Sequence, residues 1–237
     1  MVRNTKSRVP SSQIALRTSH IANRESQFEY HGIHQDLFKV LATSLHPKSM
    51  KKTSMSFNKI ELGESLASTV REIILDGEKL KALSLSQFNQ KRSDGGWSVA
   101  QVIAHLNFYS DFYLPLLEKA DKGNQVNQLD FHPGWLGNYF TKLMAPDSHG
   151  SISKKMKSPS NATPHSRDYA LDSLEKFLGD QQRLLNVLKD INRVDLNTRL
   201  PISISKLIRL KTGDVLRFVV AHEQRHFVQI NGLLKEL

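Results

Sequence analysis

From Leu62 to Leu237 the apolar residues fall mainly at steps of three and four, the period of a helix that buries one face. Leu62, Leu66, Val70, Ile73, Ile74, Leu80 and Leu83 mark a first helix, which Gly77 interrupts. Ser98-Val-Ala-Gln101 opens a second, because a Ser cap and a Gln three residues on can each satisfy one orphan amide. Val99, Val102, Ile103 and Leu106 then give that helix its stripe, towards Lys119. A third helix starts near Ser166 and is marked by Ala170, Leu171, Leu174, Phe177, Leu178, Leu184, Leu185 and Leu188. The last runs from Asp214, behind Thr212-Gly213. Residues 121–165 form a long Pro-containing connection in which Trp135, Leu136, Tyr139, Phe140 and Leu143 predict a short amphipathic helix. Residues 191–212 read as an extended crossover with Leu-Pro at 200–201. The expected fold is all-α: a four-helix bundle over 55–237 with long crossover loops and a short extra helix.

Residues 1–54 do not share this period. They carry nine Lys or Arg against Glu25, Glu29 and Asp36, so they hold +6 of the net charge of +10 and leave the rest of the chain nearly balanced. The expectation is a basic, disordered N-terminal extension, or a start placed ahead of Met50 or Met55. An organelle transit peptide shares the Arg- and Ser-rich, acid-free composition of residues 1–24. A basic arm on a balanced body reads as a tail, so no nucleic-acid partner is expected. No run approaches the roughly 18–20 apolar residues of a membrane helix, and the expected location is the cytoplasm.

The chain has no cysteine, which removes disulfides, thiolate ligands and cysteine nucleophiles. Any metal must therefore be held by imidazole, carboxylate or backbone oxygen, and there are ten histidines. The last helix contains His222-Glu223-Gln-Arg-His226. Two histidines four apart share a helical face, so both rings can reach one ion. This is also a literal H-E-x-x-H, but the zinc-protease reading fails for want of a third ligand downstream. Gln229 and Gly232 stand where the extended motif needs Gly and His, and Glu236 lies about 15 Å further along the same helix. The pair needs a ligand from upstream. His105, among Ile103, Ala104, Leu106 and Phe108, is the best donor, because an unpaired imidazole is costly to bury there. His105, His222 and His226 give a facial set that leaves positions open for water or substrate.

Gly96-Trp97-Ser98-Val-Ala-Gln-Val-Ile-Ala-His105-Leu106, followed by His222-Glu-Gln-Arg-His226-Phe-Val-Gln229-Ile230, resembles the DinB-like (YfiT-like) superfamily of metal-dependent four-helix-bundle enzymes. Pro133-Gly134-Trp135-Leu136-Gly137 and the later Lys154-Lys155-Met156-Lys157-Ser158-Pro159 look like one branch of it. The match spans about Ser56–Leu237. The resemblance implies a divalent ion, often zinc or nickel, on three histidines. It also implies relatives that include thiol-dependent S-transferases, using bacillithiol or similar thiols, and mycothiol-dependent maleylpyruvate isomerase.

Three neutral imidazoles leave the full +2 on an ion. Such an ion can bring the pKa of bound water towards ~7 or hold a thiol as thiolate. The expected activity is S-transfer from a low-molecular-weight thiol to a small electrophilic molecule. A metal-dependent hydrolase and a metal-poor binding or dimerisation module are the alternatives. The expected partners are a small-molecule substrate and a second copy of the chain in a homodimer. Glu223, about 100° round the helix from His222, is the candidate catalytic base, with a solvent-facing role as the alternative. Gln229 can hydrogen-bond a ligand or simply pack, and Tyr109 can place a phenol beside the metal or sit in the core. Trp97 and Trp135 read as core or lid packing. His31 and His34 read as solvated, and His20, His46, His132, His149 and His165 have no assigned role. Lys154, Lys155 and Lys157 read as a solvated loop that could attract an anionic thiol.

Overall fold

The computed structural model describes residues 55–152 and 156–237. The expectations for the basic arm, and those for His20, His31, His34, His46, Lys154 and Lys155, lie outside the described residues. The chain divides into a main unit, Thr53–Met156 with Pro164–Leu237, and a second unit to which Lys157–Thr163 belongs. That short segment holds one 3-10 turn at Ser160–Ala162. Everything below concerns the main unit.

Strand β1 (Phe57–Asn58) leads into helix α1 (Lys59–Lys79), where the Asn58 carboxamide oxygen accepts from the amides of Ile60 and Glu61 at 2.9 and 3.2 Å. A short helix α2 (Leu85–Asn89) follows, with a reciprocal Ser84–Gln87 cap. Helix α3 (Val99–Glu118) begins at the expected cap: the Gln101 amide donates to Ser98 Oγ at 3.2 Å, and the Ser98 amide donates to Gln101 Oε1 at 3.1 Å. After β2 (Asp130–Phe131), which pairs antiparallel with β1, comes helix α4 (Trp135–Met144). It is the short extra helix that the aromatic spacing predicts. Helix α5 (Asp172–Lys189) and helix α6 (Thr212–Leu234) complete the long elements.

Helices α1, α3, α5 and α6 form the bundle. α5 packs on α1 and α3, α6 packs on the same two, and α4 lies against α6. α5 and α6 therefore face each other across the bundle's diagonal. A hydrophobic core cluster, which includes Ile73, Ile103, Leu106, Phe177, Phe227 and Ile230, holds the stacked Phe177 and Phe227 rings, 5.7 Å apart. Burying each such side chain contributes about 1.5–3 kcal/mol over leaving it exposed. No helix among the described residues is long and apolar enough to cross a membrane.

Two expectations for the connections need correction. The crossover 191–212 is a hairpin, β3 (Arg199–Ile202) with β4 (Ser205–Lys211), that buries Leu200, Ile202 and Leu210. Pro201 can sit in it because a two-stranded ribbon has only edge strands, where a missing N–H is tolerated. The third long helix starts at Asp172 and not near Ser166. The stretch before it is held open by Asn89, whose side chain accepts from the Tyr169 amide at 2.8 Å and donates to the Tyr169 carbonyl at 2.9 Å. A tertiary pair of bonds here outweighs local helix preference.

The start of α6 is fixed by close packing against α4 and β2. Asp214, 1% exposed, accepts from the Gly134 amide at 2.9 Å and lies against Gly137. Arg217 donates to Asn138 Oδ1 at 3.0 Å and sits over the Phe57 ring, 4.6 Å from its centroid. These contacts set the rotation of α6, and with it the direction in which its histidines point.

Candidate metal centre

His105 comes from the second turn of α3, and His222 and His226 from consecutive turns of one α6 face. The fold brings all three together at the α3–α6 contact. His222 Nε2 lies 3.3 Å from His105 Nε2 and 3.1 Å from His226 Nε2, and the ligating atoms are all within 4.8 Å of one another. The three residues are only 3%, 5% and 8% exposed. Among the described residues this is the one group of three or more potential ligating side chains that converges in this way.

The electrostatics suit ligation. Burial, then the neighbouring His226, His105 and Arg225, hold His222 well below the usual imidazole range. Burial and the neighbouring His105 bring His226 down to about 3, against a smaller raising effect of its bond to Gln229. Both rings are neutral at neutral pH, so each keeps a lone pair for an ion. Three inward Nε2 atoms cannot satisfy one another fully, because His222 Nε2 belongs to both close contacts and has one N–H or one lone pair to offer. A divalent cation resolves this directly, and three imidazoles are a donor set that zinc and nickel accept.

Aromatic rings flank the cluster. Tyr109 packs on His105 and His222 at centroid distances of 5.0 and 4.5 Å, Trp97 lies 5.0 Å from His105, and Phe218 stacks on His222 at 5.8 Å. Burial first, then Tyr113, pushes the Tyr109 phenol up, so it stays neutral. Tyr113, stacked on Tyr109 at 6.2 Å, accepts from the Ser203 amide at 3.1 Å, which ties the β3–β4 turn to this wall.

A family model for the DinB superfamily matches residues 78–230, more than half of the chain. The chain belongs to the DinB superfamily. Among solved structures it is similar to YfiT from Bacillus subtilis, described as "a probable metal-dependent hydrolase with an unusual four-helix bundle topology". That similarity has a TM-score of 0.42 at 18% identity and covers 81% of this chain and 91% of the other. No curated protein matches.

Within this DinB-superfamily chain the other candidate residues separate clearly. Gln229 reaches back to His226, with Oε1 2.9 Å from Nδ1. Trp135 is 54% exposed on α4, and His132, His149 and His165 are exposed. Lys157 belongs to the second unit. Glu223 neither faces solvent nor joins the histidines. It is 3% exposed and accepts from Gln181 Nε2 at 2.8 Å across the bundle diagonal, and its Oε2 and Gln181 Oε1 have no partner. Both residues line a small pocket with Ser110, Tyr113 and Asp180. Gln181 has no assigned role from sequence, yet a signal is present: it occupies the inward position in the series Leu174, Phe177, Gln181, Leu184, Leu188.

Burial pushes the Glu223 carboxyl from 4.5 up to about 8, with the Gln181 hydrogen bond opposing and Asp180 adding to the rise. The folded protein therefore keeps a proton there that the unfolded chain has lost. Between about pH 4.5 and 8 this makes stability fall as pH rises. In metal-free protein, Glu223→Gln is expected to remove that fall, so the variant gains on the wild type through this window and levels off above it. Urea unfolding of both proteins across the window checks this; parallel curves would show that Glu223 titrates alike in both states.

Proposed function

We propose that this protein is a divalent-metal-dependent enzyme, with zinc or nickel on His105, His222 and His226, that transfers a low-molecular-weight thiol such as bacillithiol to a small electrophilic molecule. The observation that carries the reading is the convergence of three buried imidazole Nε2 atoms. When bound, the ion supplies a Lewis acid that lowers the pKa of a thiol at an open coordination position. His105, His222 and His226 would hold the ion through Nε2, and burial keeps the His222 and His226 rings neutral. Trp97, Tyr109 and Phe218 exclude water from its flanks.

Thiol transfer is favoured over hydrolysis by the position of Glu223. Its carboxyl is engaged with Gln181 and lies outside the ligating group. Hydrolysis gains from a carboxylate that takes a proton from water, whereas a thiol acidified by the ion needs no such base. In the transfer, the sulfur forms the new bond to the electrophilic carbon as that carbon's bond to halide or to the epoxide oxygen breaks. A halide departs with the thiol proton going to solvent, whereas the opened epoxide oxygen stays attached and takes up a proton.

The test has two stages. Protein purified without a histidine tag is expected to carry about one divalent ion per chain by elemental analysis, because the three histidines form a single site. It is then given bacillithiol with an epoxide or alkyl halide, and the thioether is followed by mass spectrometry with and without chelator. Chelator-sensitive thioether formation supports the proposal. Metal-loaded protein that cleaves esters or amides and forms no thioether makes it a hydrolase. Protein that takes up no ion makes it a binding module.

A further inference from the structure

We propose that Gln229 is a positioning residue that fixes the tautomer of His226 and so keeps its inward nitrogen free for an ion. The inference rests on the three histidines being a metal centre, but its first observable does not need the metal.

Residues three apart on a helix are neighbours, and here the carboxamide of Gln229 meets the outward nitrogen of His226 with Oε1 2.9 Å from Nδ1. A neutral imidazole carries one N–H, and an amide oxygen can only accept. With Oε1 facing the ring, this bond requires the proton on Nδ1, which leaves Nε2, 3.1 Å from His222 Nε2, with a lone pair towards the cluster. Without Gln229 the buried ring has a competing arrangement. It can carry its proton on Nε2 and donate inward to His222, which puts a hydrogen where the ion has to sit. Outer partners of metal-bound histidines act in this way, fixing both tautomer and ring orientation. The partner here is a neutral amide, so it orients the ring without adding negative charge to the centre. Trp97, stacked at 6.4 Å with an interplanar angle of 17°, supports the ring's face but offers no acceptor to Nδ1.

The experiment uses full-length, 15N-labelled, metal-free protein and long-range proton–nitrogen NMR of the histidine rings, followed by zinc affinity measured by chelator competition. Wild type is expected to show His226 protonated on Nδ1 alone. Gln229→Leu should shift His226 towards the Nε2-protonated form and weaken zinc binding by about 10–100-fold, with the helical circular dichroism unchanged. Gln229→Glu, which keeps an acceptor at the same place, should restore both the tautomer and the affinity to within a few-fold of wild type. A purely structural role for Gln229 would move thermal stability without moving the tautomer. Wild-type His226 protonated on Nε2, or Gln229→Leu with unchanged tautomer and unchanged affinity, overturns the proposal. If the tautomer responds as expected but wild type binds no zinc, nickel or manganese, the positioning role stands and the metal reading falls.

Discussion

Alanine at any one of His105, His222 or His226 is expected to strip the protein of divalent metal while leaving its helical content nearly unchanged. In the proposed site each histidine would supply one bond from a fixed direction, and the described residues offer no carboxylate or fourth imidazole to the same point. Loss of an outer hydrogen-bond partner alone costs about 10–100-fold in metal affinity, so loss of a ligand should exceed about 100-fold. The losses should also be far from additive, since a two-histidine site is already poor. The fold survives because its hydrophobic core cluster is built from other residues, among them Phe88, Ile103, Phe177 and Phe227. His132→Ala and His149→Ala, both at exposed positions, serve as controls. The measurement is elemental analysis after dialysis against a weak chelator, with zinc, nickel and manganese supplied separately. Full occupancy in His105→Ala would remove α3 from the site.

The largest expected loss of stability from a single methyl group is at Gly137. A Cβ added there would overlap Cβ and Cγ of Asp214. Those atoms stand next to the α6 backbone and are further held by the Gly134 amide, so they cannot swing away. The whole of α4 would have to lift off α6. Gly137→Ala is expected to cost about 3 kcal/mol or more, at the upper end of overpacking penalties. In a domain of this size that is roughly 6–12 °C in Tm. Gly77→Ala is the contrast. Its new methyl comes too close only to Leu178 Cδ2, at 2.9 Å and the far end of a flexible side chain, with Phe177 and Phe227 at an ordinary 3.8 Å, and alanine is the better helix former by about 1 kcal/mol. It should lie between neutral and mildly stabilising. Thermal unfolding of the two variants side by side decides this, and equal losses would mean that α4 is not held against Asp214.

The four long helices are legible because burial imposes a period, and the period is written in Leu62–Leu83, Val99–Leu106, Leu174–Leu188 and the last helix. The α3 cap is legible because Ser98 and Gln101 satisfy each other locally. The equivalent Ser84–Gln87 pair was equally visible, yet with only five helical residues behind it no apolar stripe draws attention to it. The hairpin is hidden by Pro201 and by a turn at Ser203-Ile204 that lacks the glycine or asparagine of tight hairpin loops. At the site, spacing puts His222 and His226 on one face, and the apolar neighbours of His105 make it the natural third member. The direction of Glu223 is different. A 100° rotation from His222 leads towards either water or the bundle interior, and the choice depends on a partner, Gln181, that sits 42 residues away.

His105 and His222 are separated by 117 residues, so an ion on them closes a loop of nearly half the chain. Closing a loop that long carries a large entropic cost, which rises only slowly with further length. The complete three-histidine site therefore exists only once α3 and α6 have docked, and α6 alone offers two of its three ligands. The ion should act on the way out: interactions that form after the folding barrier slow escape from the native state and leave the approach rate unchanged. Loading would then lengthen the protein's lifetime against unfolding with little effect on how fast it folds.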